Sequence, residues 1–431
     1  MSKEVLKRSR AIYFAMLGMV AVLSLTMWGC GTSGYDDPQA AVTTTKTANA
    51  SIDAVTLQKW ITEGKVNSTD PSSRDKVVIL SVSPATNYNA AHIPGAQLMN
   101  SATELTMTRM EGVAPIGTMV LDGGTIDTII KRSGIDSNTT VVFTVAKGQS
   151  YMNTARAYFT FRYWGFPKER LKVLNGGDDA WETAGYTLTT DAPSVTGSTF
   201  SVRNNSTFHA DLRYSIGEMI NLVDQLNLGT KSTAQYKVMD VRGPASALPT
   251  VYIANAIVDD FARFTDSAGT GKTATFASPT DLQTRFGEKG VTASVTQTTV
   301  YCASGMRAAV VFFALDSVLG WPVNMYDGSW NQWAAYRYVA PPVTVPPTSP
   351  SYLPSSTSSW SVAINTPTTS LPRTTGTLSG GSIVVDPLSH ALFSSVTDSR
   401  ANQIFLEDTL YFNGGTSAAP PVSGGGDSSD C

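Results

Sequence analysis

"TTVYCASGMRAAVVFFALDSVLGWPVNMYDGSW" (298–330) is where the fold of this chain is easiest to read. A β-branched run stops at Tyr301-Cys302, and a short turn through Gly305 follows. The apolar stretch from Met306 has helical length and stops at Gly320, with Pro322 just beyond. Gly and Pro together are a helix-stop signal. A second short strand then runs into Asp327-Gly328, and Trp333 stands six residues past that Asp. The same grammar occurs earlier in the chain. "SGIDSNTTVVFTV" (133–145) is a turn and strand, and "ARAYFTFRYWGFP" (155–167) reads as an amphipathic helix closed at Gly165. "LKVLNGG" (171–177) is the short strand, and Trp181 stands six residues past Asn175. Such self-similarity marks an internal repeat.

Both halves also begin alike. "AVTLQKWITEGK" (54–65) and "YSIGEMINLVDQLN" (214–227) carry helical spacing, and each precedes a buried-strand pattern, "KVVILSV" (76–82) and "YKVMDV" (236–241). Short apolar strands alternating with helices predict an α/β class with a central parallel sheet flanked by helices in each half. The expected layout is a leader over 1–30, a linker over 31–52, one domain over 53–198 and a second over 205–338. Residues 339–431 are rich in Pro, Ser, Thr and Gly and read as a flexible tail. Within that tail "NQIFLEDTLYF" (402–412) is a candidate strand or docking segment.

The leader has its own pattern. Lys3, Lys7, Arg8 and Arg10 precede the uncharged run "AIYFAMLGMVAVLSLTMW" (11–28), and Gly29-Cys30 follow. That is the layout of a secretory signal. "MWGC" (27–30) resembles a bacterial lipobox, which makes Cys30 the expected lipidation site; the alternative is an uncleaved membrane anchor, since the apolar run is nearly long enough to span. An outer-membrane or periplasmic, lipid-anchored location follows as an expectation.

Composition narrows the function classes. A net charge of −3 with no basic stripe argues against nucleic-acid binding. Three cysteines (Cys30, Cys302 and Cys431) are too few for a disulfide framework, and none has zinc-type spacing. The three histidines are far apart, so no metal cluster is expected. His92 reads as a turn residue, Trp181 and Trp333 as core, and Asp259-Asp260 as surface.

"AAHIPGAQLMN" (90–100), "LNGGDDAWETAGY" (174–186), "FHADLR" (208–213), "MDVRG" (239–243) and "YCASGMRA" (301–308) stand in an order and spacing that resemble the tandem rhodanese family of sulfurtransferases. The resemblance spans both halves. It implies two rhodanese-like domains, and it makes Cys302 the nucleophile of a six-residue loop, Cys302, Ala303, Ser304, Gly305, Met306 and Arg307. The half without a cysteine resembles the inactive half of such proteins, because Ser81 and Ser83 replace the Asp and Arg found at Asp240 and Arg242. In the second half "TVYIANAI" (250–257) replaces the His-Ile-Pro-Gly turn.

The chemistry of that loop is legible from its residues. A thiol reacts as thiolate, and a turn of inward amides at a helix start favours an anion. Such a cradle is expected to lower the Cys302 pKa and to hold a persulfide. Arg307 is expected to bind an oxyanion, while Asp240 and Arg242 form a supporting pair. The expected reaction is covalent, ping-pong transfer of a sulfane sulfur from thiosulfate or a thiol donor to a thiol or cyanide acceptor, with no cofactor and no metal. Two other functions fit the same sequence. One is a non-catalytic accessory lipoprotein with an outer-membrane protein partner. The other is handling of selenite or tellurite oxyanions.

Overall fold

The computed structural model describes residues 45–335, apart from 47–48, 71–72, 112–113, 245–247 and 250, together with 374–377, 384–385 and 399–415. Cys30 and Cys431 lie outside the described residues, as does most of 339–431.

The first half runs β1 (Ser51–Ile52), α1 (Ala54–Thr62), β2 (Val77–Ser83), α2 (Ala85–Ala90), β3 (Gln97–Asn100), β4 (Met107–Glu111), β5 (Ala114–Met119), α3 (Gly123–Arg132), β6 (Thr140–Thr144), α4 (Met152–Tyr163), β7 (Leu171–Leu174) and α5 (Gly177–Thr183). Five of these strands form a sheet in the order β1-β7-β6-β2-β3, every pair parallel. All seven residues of β2 are buried, as expected for a strand covered on both faces. β4 and β5 form a separate antiparallel hairpin.

The second half repeats this order. It runs β8 (Arg213–Tyr214), α6 (Ile216–Asn227), β9 (Tyr236–Asp240), β10 (Val251–Ile253), β11 (Ala256–Val258), β12 (Thr265–Asp266), β13 (Thr275–Phe276), α7 (Pro279–Gly287), β14 (Gln297–Tyr301), α8 (Met306–Phe313), β15 (Val323–Tyr326) and α9 (Ser329–Ala335). Its parallel sheet has the order β11-β9-β14-β15-β8, the same path as in the first half. Register confirms the equivalence. Ser81 stands beside Thr144, and Asp240 beside Tyr301. Val145 therefore occupies the place of Cys302.

The halves meet through the helices that follow the two loops. Tyr158 and Phe159 of α4 pack edge-on against Phe313 and Phe312 of α8, with ring centroids 5.0 Å apart in each pair. Residues 154–163 of α4 are buried on every side. The amphipathic expectation for 155–167 is thus corrected: the polar face of this helix is also covered, by the other half. Its polar groups are satisfied across the contact. Arg162 and Tyr158 both bind Asp316, at 3.0 and 2.7 Å. A second, quasi-symmetric exchange involves the repeat's Asn and Asp. Asn175 accepts a hydrogen bond from the Phe276 amide at 2.7 Å, and Asp327 accepts one from the Val120 amide at 2.9 Å. Each half thus holds the strand end that leads into the other half's helix.

One stretch of the tail follows the docking reading rather than the strand reading. "NQIFLEDTLYF" supplies a helix, α10 (Gln403–Phe412), and it is docked. Asp408 is buried and accepts two hydrogen bonds from Arg109 at 2.7 and 2.8 Å, and one from Tyr163 at 2.7 Å. Ile404 is buried, and Tyr411 donates to Asp127. This stretch is neither strand nor loose tail, because a buried guanidinium requires its carboxylate. Two short strands, β16 (Thr374–Thr377) and β17 (Val384–Val385), extend β10 into an antiparallel sheet.

Candidate active site

β14 delivers Cys302, and α8 starts at Met306 with Gly305 as its N-cap. Gly305 has φ +85°, a left-handed conformation open to glycine. The loop carbonyls are turned away from the thiol by the start of α9. The Trp330 amide donates to Cys302 O and the Asn331 amide to Ala303 O, both at 2.9 Å. With those carbonyls tied back, the loop amides point inward. The Gly305 amide donates to Cys302 Sγ at 3.2 Å. The amides of Ala308, Ser304 and Arg307 also act on that sulfur. The Cys302 amide donates to Ser329 Oγ at 3.3 Å, and Ser329 Oγ donates to Tyr326 O.

The thiol itself is 1 % exposed. Burial pushes its pKa above the ordinary thiol value, and the four amides pull the other way without overcoming it. This corrects the expectation of a lowered pKa. Desolvation penalises the charged form of a fully buried group, and the sequence does not reveal how deep the loop lies.

Asp240 and Arg242 form a close pair next to the loop. Arg242 Nη2 lies 2.6 Å from Asp240 Oδ2, and Nε lies 2.9 Å from it. Tyr301 donates to the same oxygen at 2.8 Å and accepts the Ile253 amide at 2.9 Å. Arg242 also stacks over Trp330, 4.1 Å from the ring centre. Arg307 turns toward the strand end after β9 and donates to Arg242 O at 2.7 Å. Arg307 thus holds the backbone of that strand end and lies over the Phe261 ring, 5.4 Å from its centre. Ser304 is buried and Met306 partly buried.

Two aspartates read as surface are buried: Asp259 and Asp260 are 3 % and 7 % exposed. Arg263 and Lys289 neutralise Asp259, and Asp260 caps the turn at Ala262. His92 accords with its turn reading. Its ring nitrogens lie 2.8 and 3.1 Å from the carbonyls of Tyr88 and Asp191. Trp181 and Trp333 are buried.

The first half shows what becomes of this site without a thiol. Ser83 Oγ accepts the Ala146 amide at 2.8 Å, and Asp179 accepts the amides of Gly148 and Thr273 at 2.7 and 3.0 Å. Side chains of the protein thus take up loop amides. Asp178 occupies the place of Trp330 and accepts a hydrogen bond from Thr144 at 2.7 Å. Burial, with Asp179 and Glu182 nearby, pushes its carboxyl up to about 7.

Sequence reading missed Arg156 and Glu111, which join Arg213 and Asp327 near the Cys302 loop. Arg156, Arg213, Glu111 and Asp327 form a buried ionic chain behind it. Arg156 and Glu111 belong to the first half, and no local motif marks them.

Residues 69–184 match the model of the rhodanese-like domain. In sequence the chain is 24 % identical over 258 residues to a provisionally named thiosulfate sulfurtransferase of Haloferax volcanii, covering 57 % of this chain and 81 % of that one. A similarly named protein of Saccharopolyspora erythraea is 26 % identical over 269 residues, covering 61 % and 88 %. The sulfur carrier protein TtuD of Thermus thermophilus is 27 % identical over 254 residues, covering 57 % and 83 %. Alignments of that length exceed either half alone. Among solved structures, a persulfide form of an EanB variant with ergothioneine superposes with TM-score 0.52 at 17 % identity, covering 68 % of this chain and 70 % of that one. YnjE superposes with TM-score 0.50 at 17 % identity, covering 66 % of each. The architecture is that of the rhodanese-like domain, built twice around parallel five-stranded sheets, in a chain whose sequence relatives are named for sulfur transfer.

Proposed function

We propose that this protein is an extracytoplasmic sulfurtransferase that works through a persulfide on Cys302. The observation that carries the reading is the loop geometry: inward amides on Sγ, with the loop carbonyls held away by α9. The names of the relatives support sulfur as the transferred atom. The Cys302 thiol loses its proton to solvent, and the thiolate attacks the outer sulfur of thiosulfate. A new S–S bond forms on Sγ, the S–S bond of thiosulfate breaks, and sulfite leaves with the electron pair. An acceptor thiolate or cyanide then attacks the terminal sulfur, and Cys302 leaves as thiolate. The amides stabilise the negative sulfur in both steps. A thiol 1 % exposed meets no donor without local opening, so a gating motion belongs to the cycle. The leader pattern supports lipidation at Cys30 and a place at the outer membrane or in the periplasm.

Thiosulfate-to-cyanide transfer by the full chain tests this reading. Wild type is expected to form thiocyanate and Cys302→Ser none. Equal rates in the two would end the proposal. A second reading is favoured by the burial of the thiol: a non-catalytic accessory lipoprotein. Wild type lacking transfer under all donors, with a phenotype lost on removing 399–431 but not in Cys302→Ser, would support it.

A further inference from the structure

The half without a cysteine carries no nucleophile of its own. One of its side chains nevertheless reaches the loop of the other half. Arg156 lies in α4 and is fully buried. Its Nη2 donates to Thr118 O at 2.8 Å, and its Nη1 lies 2.7 Å from Asp327 Oδ1. The second oxygen of Asp327 is held by Arg213 at 3.0 Å and by the Val120 amide at 2.9 Å. Phe159 lies under the guanidinium, 5.3 Å from ring centre to carbon. The guanidinium thus has little freedom. It is pressed against Gly305: a Cβ there would stand 2.8 Å from Arg156 Nη1 and 3.2 Å from Asp327 O.

Gly305 supplies one of the four amides that act on Sγ, at 3.2 Å. Glycine has no side chain to select its φ, and several backbone wells are open to it. Something outside the residue must keep it at φ +85°. We propose that Arg156 is a positioning residue for the Cys302 loop, walling Gly305 in the conformation that directs its amide at the sulfur. Among the described residues the buried Nε and Nη1 of Arg156 make no hydrogen bond, Nη1 meeting Asp327 only as an ion pair. An unpaired buried donor is a cost that a purely stabilising residue would not carry. The inference rests on the reading of Cys302 as nucleophile, but its test does not depend on sulfur transfer.

The test is the pH profile of Cys302 alkylation by iodoacetamide in the full chain, read on the Cys302 peptide by mass spectrometry. Three proteins are compared: wild type, Arg156→Lys and Arg162→Lys. Arg162 is on the same helix and also makes a buried ion pair with the other half, at Asp316, so it controls for general loosening of the contact. Arg156→Lys is expected to raise the midpoint by about one pH unit, the scale of losing one hydrogen bond to a thiolate. Arg162→Lys is expected to keep the wild-type midpoint. An unchanged midpoint in Arg156→Lys, or an equal shift in both variants, overturns the inference. Should Arg156→Lys fail to fold, Phe159→Leu keeps the arginine and its ion pair, changes no charge, and removes the ring beneath the guanidinium. It is expected to shift the midpoint in the same direction, and no shift there overturns the inference too. Absence of sulfur loading in wild type would strike the proposed function alone and leave this comparison standing.

Discussion

Replacing Asp178 by Asn is expected to change the pH dependence of folding by a predictable amount. Asp178 is fully buried at the start of α5, and its carboxyl titrates at about 7 in the fold against an ordinary 3.8. One oxygen accepts from Thr144, and the other has no hydrogen-bond partner among the described residues. The folded state therefore binds this proton more tightly than the unfolded chain. Stability from the neutral carboxyl is complete below the unfolded value near 3.8 and is lost as pH rises through about 7. At about 1.4 kcal/mol per pH unit, the ionised group costs the fold about 4 kcal/mol by about pH 8. Between about pH 4.5 and about pH 8 wild type should lose about 3 kcal/mol that Asp178→Asn does not lose. The amide keeps the size of the carboxyl and still accepts from Thr144. Any fixed cost of its unpaired NH₂ is the same at both pH values and cancels. Urea unfolding of both proteins at the two pH values measures the quantity. A difference that does not move with pH would refute the reasoning and place a partner or solvent at the second oxygen.

Four further outcomes follow from the same geometry. Asp327→Ala leaves the buried Arg156 guanidinium without its carboxylate, while Arg213 keeps Glu111, and should cost about 3–5 kcal/mol in urea unfolding; a loss under about 1 kcal/mol would contradict the buried chain. Asp408→Ala takes from the buried Arg109 its two-pronged carboxylate and leaves it only the more exposed Glu407 at 3.2 Å, and should cost about 3 kcal/mol, whereas wild-type thermal stability would show that α10 is not docked. Phe313→Ala removes a ring shared by Tyr158 and Phe276 at the contact between the halves, and should cost about 3–5 kcal/mol by chemical denaturation. Alkylation of Cys302 should rise with pH and reach its midpoint above that of an ordinary free thiol, since burial favours the neutral form; a midpoint below neutrality would contradict the closed loop.

The repeat from Gly-aromatic-Pro to Trp was enough to expect two matching α/β halves, because short buried strands and helix stops are local signals. The place of Cys302 at a strand end, with Gly305 as the turn, was equally local. What stayed hidden depends on distance along the chain. The apolar residues Phe405, Leu406 and Leu410 are exposed on α10, while Asp408 is buried, so hydrophobic spacing there points to the wrong face. Its true partner, Arg109, is 299 positions away. Asp259 looks like surface until Arg263 and Lys289 are seen around it. The polar side of α4 looks solvated because the half that covers it comes later in sequence. The depth of Cys302 follows from the same packing, and with it the direction of its pKa.

Peptide mass spectrometry of the full chain after thiosulfate treatment tests the central claim most directly. The account predicts that the Cys302 peptide gains the mass of one sulfur atom, that cyanide removes it, and that the serine variant never gains it. A Cys302 peptide of unchanged mass, under conditions that open the loop to alkylation, would contradict the account.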